Sequence, residues 1–404
     1  MKAKYLLLPY AFLIVVLPAV ITHLAVPLKL DVPLLENIMD GLMALTAVAG
    51  LALLLIRKKS RFRGWLPLLA LMVLIILPQI YLWNLQNRGF TELRAVYRYA
   101  LLYITLFVIP LEIHLSRKSV CVLIGCFCVF GVISCLYGLV KYPDLSKLFG
   151  KGEGMESWFG QKNRFGAYNA LLVILCLLAV LLSGKKYWLV LAAFFAVFLV
   201  MSKSRGAIVL TAVTLVGGII SYQKHIGTKT LLMILLDAAI VFAVLWLLPL
   251  TRSLLTSVIA PERGVRREVM WRIAWEYYLE SDPLMGYGLG TQIERVMIER
   301  ASLNYSTHNM YLYILIMGGL LMAAFYVLAF VILLKRGRYR HHYLIPLMTG
   351  WLVYGLFELA GTPFDYWHLS NMFTICLFFI PAALGRDHQH HHRSHSSVHT
   401  VVHE

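Results

Sequence analysis

Ser202-Lys203-Ser204-Arg205-Gly206 lies between two apolar runs, and Arg205 falls in the first turn of the second. A cation there opposes the helix dipole, whereas the exposed amides of that turn favour an anion. Ser204 is positioned as the N-cap, and no acid lies within one turn in sequence. The pattern predicts anion binding by Arg205, against the plainer role of snorkelling to lipid headgroups.

A second group follows at Arg263, Arg266 and Arg267. Glu268, Arg272, Glu276 and Glu280 stand at i, i+4 steps and read as a paired stripe, and Glu262 is similarly spaced from Arg266. Arg263 and Arg267 instead stack as like charges, which favours an anion between them, so Arg267 is the stronger candidate with Arg263 and Arg266 beside it. His308-Asn309 opens a later apolar run. In a first turn the dipole disfavours imidazolium, and neutral imidazole is the form a general base requires. Asn309 is suited to a sugar hydroxyl or a phosphate oxygen, while the plainer reading of His308 is an interfacial histidine bonded to backbone. Arg94 and Arg98 stack at i, i+4 with only Glu92 close in sequence, and Arg164 opens another run, so these three read as further anion contacts. Gly286-Tyr287-Gly288-Leu289-Gly290 has neither the preceding strand nor the following Gly-Lys-Ser/Thr of a nucleotide loop and reads as a compact turn over the membrane surface.

The elements that must position these residues are apolar runs. Of 404 residues, 60% are hydrophobic and 14% charged, with mean hydropathy +0.74. Soluble domains carry about 25% charged residues, so a soluble enzyme is excluded. Runs long enough to cross a ~30 Å hydrocarbon layer predict about twelve transmembrane helices. They fall near 5–26, 38–56, 65–83, 97–114, 119–140, 165–183, 186–201, 206–222, 230–250, 308–334, 343–360 and 367–385. The fold class is an all-α polytopic membrane protein. Residues 1–386 form a single transmembrane domain with a large outer loop at about 251–307, where Pro261–Asp282 reads as an interfacial amphipathic helix. The histidine-rich segment 387–404 reads as an unstructured cytoplasmic tail.

The net charge of +17 would suit nucleic acid in a soluble protein, but here it reads as orientation signal. Clusters such as Arg57-Lys58-Lys59, Arg117-Lys118, Lys185-Lys186 and Lys335-Arg336 mark the inner side and put both termini in the cytoplasm. The arginines left on the outer side are not explained by that rule. Guanidinium is a planar, permanently charged fork suited to phosphate oxygens. A lipid-linked phosphate or diphosphate fits that face, with salt bridges to outer acids as the competing explanation. The six cysteines lie in apolar runs at spacings that imply neither disulfides nor a metal site.

Taken in order, Ser204-Arg205-Gly206-Ala207, Arg267 four residues before Trp271, Asp282-Pro283-Leu284 with Gly286, Gly288 and Gly290, His308-Asn309 with Leu312, and Gly318-Gly319-Leu320 resemble the O-antigen ligase/polymerase superfamily of GT-C type membrane glycosyltransferases. Arg94-Ala95-x-Tyr97 is similar to a ligase segment. The resemblance is closest over about 202–321, and Gly318 stands where the family often has an acidic residue. It implies a bacterial inner-membrane enzyme with its active site on the periplasmic face. Such an enzyme attaches O-polysaccharide, carried on undecaprenyl diphosphate, to a lipid A-core sugar hydroxyl, with no metal and no cofactor. The family's essential arginines fall on Arg205 and Arg267 and its histidine on His308; membrane lipids, the donor and the acceptor are the implied partners, and no nucleic acid is. An O-antigen polymerase would use the same donor chemistry. A flippase of lipid-linked sugars is the non-enzymatic alternative.

Overall fold

The computed structural model describes residues 9–12, 32–56, 66–85, 90–105, 115–142, 154–222, 267–289, 299–300, 308–336 and 341–356. The expected spans at 230–250 and 367–385, most of the first span, Arg263, Arg266 and the tail lie outside these residues. Ten α-helices and one short 3-10 turn have described bounds, residues 9–12 and 299–300 are also helical, and no strand occurs among the described residues. The helices are α1 (Val32–Ile56), α2 (Leu66–Leu85), α3 (Phe90–Tyr103), α4 (Arg117–Lys141), α5 (Lys162–Ser183), α6 (Tyr187–Met201), α7 (Arg205–Tyr222), α8 (Arg267–Leu279), α9 (Met310–Arg336) and α10 (His341–Gly355). Three segments, Arg117–Lys141, Lys162–Ser183 and Met310–Ile332, are long and apolar enough to cross a membrane. The architecture is that of a polytopic helical membrane protein.

α5 is apolar on every side and is buried from Phe165 to Cys176 without interruption, as expected of a helix enclosed by others. It packs against α4, α6 and α7. Without a hydrophobic drive between helices in lipid, close approach of small residues supplies the packing. A Cβ at Gly131 would stand 2.3 Å from Leu172, and one at Gly166 would stand 2.4 Å from Ser204. α7 and α10 form the most extensive helix pair. Gly217 lies on Pro346, while Gly350 lies on Leu210 and Thr214, so the two helices run antiparallel.

α9 is not one continuous helix. Gly319 takes φ 59° and ψ −156°, a region open essentially to glycine alone. The break releases backbone groups, and the segment after α8 takes them up. The Tyr287 N–H donates to the Ile316 carbonyl at 2.8 Å, and the N–H groups of Leu320 and Leu321 donate to the Pro283 and Leu284 carbonyls at 3.0 and 3.1 Å. The glycines permit this docking, because a Cβ at Gly286 would meet the Ile316 carbonyl at 2.5 Å and one at Gly319 the Leu284 backbone at 2.4 Å. The glycine-rich stretch is thus a turn, as expected, but one wedged into a broken helix rather than laid over a surface.

Gly319→Ala should therefore destabilise the protein by at least about 1–3 kcal/mol, the usual cost of a strained backbone site. Gly218→Ala, where no atom lies within 4 Å of the added carbon, should be neutral or slightly stabilising. Thermal unfolding of the two variants in detergent tests the contrast.

Candidate functional site

The turn between α6 and α7 is buried, with Ser202 and Ser204 fully enclosed and Lys203 6% exposed. Ser202 rather than Ser204 provides the capping hydroxyl: its Oγ accepts from the Ser204 N–H at 3.2 Å and donates to the Leu199 carbonyl at 2.6 Å. The Ser204 carbonyl accepts the first helical bond, from Ile208. Its Oγ, pressed against Gly166, has no hydrogen-bond partner among the described residues. Lys203 stands between these serines with φ 55°, a left-handed conformation uncommon outside glycine.

The Gly166 contact brings the first turn of α5 against this turn. Lys162 and Arg164 of α5 and Lys203 and Arg205 of the α6–α7 junction therefore share one corner of the bundle. Neither helix has an acid in its first turn. Burial pushes the Lys203 ammonium below its ordinary pKa, and the charge of Lys162 adds to the effect. Two helix N-termini and four cations meeting in this way favour an anion. The sequence reading identified Arg164 and Arg205 but not the two lysines, since Lys203 looks like an exposed turn residue until its burial is known.

His308 lies at the same end of the bundle. The antiparallel register of α7 and α10 carries the last turn of α10 towards the level of Arg205, and there Gly355 abuts Met310, with its notional Cβ 2.7 Å from the Met310 side chain. His308 does not occupy a first helical turn. Asn309 is the residue before α9, its Oδ1 accepting from the N–H groups of Tyr311 and Leu312 at 3.0 and 3.1 Å. The helix-dipole argument for the imidazole loses its geometry, and the Asn309 carbonyl oxygen is committed to the cap rather than open to a sugar. His308 has φ 44°, left-handed like Ser157 and Lys203 at this end of the bundle. Strained backbone of this kind clusters at functional sites.

Arg267 opens α8, whose Met270, Ile273, Ala274 and Tyr278 are buried, while Glu268, Arg272, Glu276 and Glu280 form its exposed face. α8 packs on α9, the helix that His308 precedes. The turn following α8 is held by its own side chains. Asp282 Oδ1 accepts from the N–H groups of Leu284 and Met285 at 2.8 and 3.0 Å, and the Tyr278 hydroxyl donates to the Pro283 carbonyl at 3.1 Å. Tyr277 and Tyr287 stack with centroids 4.0 Å apart, and the Arg300 guanidinium lies 5.1 Å from the Tyr277 ring. Arg300 also forms a two-pronged bond with Glu280, at 2.8 and 2.6 Å, which holds that carboxyl below the usual carboxylate range. From α2, the buried Gln79 grips the turn on both sides. Its Nε2 donates to the Met285 carbonyl at 3.1 Å, and its Oε1 accepts from the Leu289 N–H at 2.9 Å.

Arg94 and Arg98 have an acid that local sequence did not disclose. Asp40, from α1, accepts from Arg94 at 2.7 Å, from the Tyr97 hydroxyl at 2.7 Å and from Arg98 at 2.5 Å. The like-charge stacking that suggested an anionic ligand is partly offset by this carboxylate. Arg164, Arg205, Arg267 and His308 each have a polar, ring or electrostatic neighbour within the fold as well, so uncompensated charge does not single them out. What distinguishes Arg164 and Arg205 is their convergence at two helix N-termini.

The fold is that of a helical, multispanning membrane protein, with a cationic corner and a strained histidine at one end of the bundle. Residues 190–327, roughly a third of the chain, match the family described as O-antigen ligase. The match takes in Arg205, Arg267, His308 and the docked turn. No curated protein matches the chain.

Gln79→Leu should lower stability by about 1–3 kcal/mol, because it leaves the Met285 carbonyl and the Leu289 N–H buried without their partner. Replacing Asp40 with alanine should cost a similar ~1–3 kcal/mol, since two guanidinium groups and the Tyr97 hydroxyl lose their acceptor. Denaturation midpoints in a single detergent check both; an unchanged midpoint for either variant would show that contact to be dispensable.

Proposed function

We propose that the protein is an O-antigen ligase of the bacterial inner membrane. It spans the bilayer about twelve times, has both termini in the cytoplasm, and works at the periplasmic face. The donor is O-polysaccharide linked to undecaprenyl diphosphate, and the acceptor is a sugar hydroxyl of lipid A-core. The observation that carries this reading is the meeting of Lys162, Arg164, Lys203 and Arg205 at two helix N-termini, at the bundle end that also holds His308, with Arg205 and His308 inside the O-antigen ligase stretch.

Arg205 and Arg267 grip the diphosphate, assisted by Arg164, Arg263 and Arg266, and stabilise the charge that grows as it leaves. His308 accepts the proton from the acceptor hydroxyl as that oxygen attacks the anomeric carbon. The new carbon–oxygen bond forms as the bond to the diphosphate breaks, and the diphosphate departs with the electron pair. A single displacement of this kind inverts the anomeric centre. Arg94 and Arg98, tied to Asp40, support the site from α3 and reach the donor only as a secondary contact.

In cells carrying His308→Ala or Arg205→Ala at normal protein levels, polysaccharide attached to lipid A-core should fall by about 10²–10⁴-fold, as expected for loss of a general base or of charge stabilisation. Free lipid-linked chains should accumulate, as seen by gel analysis of lipopolysaccharide and of the carrier-lipid pool. Normal attachment in the His308 variant would overturn the base assignment. In a deletion strain, long chains left on the carrier indicate a ligase, whereas a single repeat attached to core indicates a polymerase. Purified protein that joins donor to acceptor in detergent excludes a pure flippase.

A further inference from the structure

The bundle end opposite the cationic corner carries a groove that this chemistry does not use. The start of α4 and the α5–α6 junction enclose about 830 Å³ there, within the ~300–1,000 Å³ typical of ligand clefts. Arg117, Lys118 and Lys185 stand at its mouth, and none of the described lining residues is acidic. Ser116 caps α4 through its Oγ, which leaves that helix start without an acid in its first turn. From the basic mouth the groove runs along α4 to Ile133, about 24 Å at 1.5 Å per residue. That exceeds the ~15 Å depth of one leaflet of the hydrocarbon core. Its lining is almost wholly apolar and includes Trp188, whose Nε1 donates to the Ser183 Oγ at 3.1 Å and so fixes the indole at the polar end. Gly125 forms part of the wall, and the nearest atom to a Cβ placed there is the Trp188 ring at 4.0 Å.

We infer that this groove binds an anionic phospholipid, with the headgroup phosphate between Arg117, Lys118 and Lys185 and one acyl chain along α4. Charge complementarity selects the occupant. Three cations on a described lining that is otherwise apolar or neutral favour an anionic headgroup over a zwitterionic one, and basic pockets between spanning helices suit such headgroups. A slot of leaflet length lined by aliphatic side chains suits an acyl chain. The groove and the cationic corner lie at opposite ends of the bundle, because α5 runs from Arg164 there to Ser183 here. The inference therefore stands whether or not the ligase reading does.

The test uses the full-length protein purified in detergent and exposed to phosphatidylglycerol or phosphatidylcholine with identical acyl chains, with adducts counted by native mass spectrometry. Phosphatidylglycerol should be retained at least about tenfold better, as expected for several basic groups at one headgroup. The exposed-residue change Lys185→Glu should remove most of that preference. Gly125→Leu, which fills the slot without altering charge, should weaken both lipids alike. Thermal unfolding of each variant in the same detergent identifies any that fail to fold, and Lys118→Gln then replaces a failed Lys185→Glu. Equal retention of the two lipids would overturn the inference. So would an unchanged preference in a folded charge variant.

Discussion

The exchange of backbone hydrogen bonds between the turn after α8 and the break in α9 is the constraint on which the rest of the described structure depends. In hydrocarbon, a backbone group without a partner costs several kcal/mol, so a spanning helix can be interrupted only where protein re-satisfies it. The N–H groups of Tyr287, Leu320 and Leu321 supply that repair. Through it α8 is tied to α9, and Gln79 extends the tie to α2. Arg267, at the start of α8, and His308, ahead of α9, are thus carried on elements locked to one another by main chain rather than by side-chain packing alone.

The second organising feature is a set of helix N-termini at one end of the bundle. Gly166 allows α5 to approach the α6–α7 turn closely enough for Lys162, Arg164, Lys203 and Arg205 to share a corner. The α7–α10 register then relates that corner to His308. Three non-glycine residues at this end, Ser157, Lys203 and His308, hold left-handed backbone. Their surroundings must compensate for the strain, which suits a site whose side chains need fixed directions.

Much of this was legible in sequence, and the limits have physical causes. The bounds of α2, α4, α5, α6 and α7 lie within a few residues of the apolar runs, because hydropathy contrast with the flanking charges is strong and local. The amphipathic stripe of α8 was equally readable, since its exposed charges recur every fourth residue. The partner of Arg94 and Arg98 was not readable, because Asp40 lies more than fifty residues upstream on another helix and no local spacing points to it. The grip of Gln79 on residues more than two hundred positions away is hidden for the same reason. The Gly318-Gly319 pair was visible, but a glycine inside an apolar run does not announce a break until the segment that fills it is placed. The roles expected of Ser204 and Asn309 changed because a capping motif can shift by a residue or two within a short polar turn.

Interrupting α9 also divides its electric field. A continuous 27-residue helix would have a single macrodipole with partial charges at its two far ends, whereas the break creates a second pair of partial charges inside the bundle. In many transporters such interior ends are left open and hold an ion. Here the negative end at Ile316 receives the Tyr287 amide, and the positive end at Leu320 and Leu321 faces the Pro283 and Leu284 carbonyls. The interior poles are neutralised by the protein's own chain, so this break serves as a mooring and leaves anion attraction to the helix ends around Arg205.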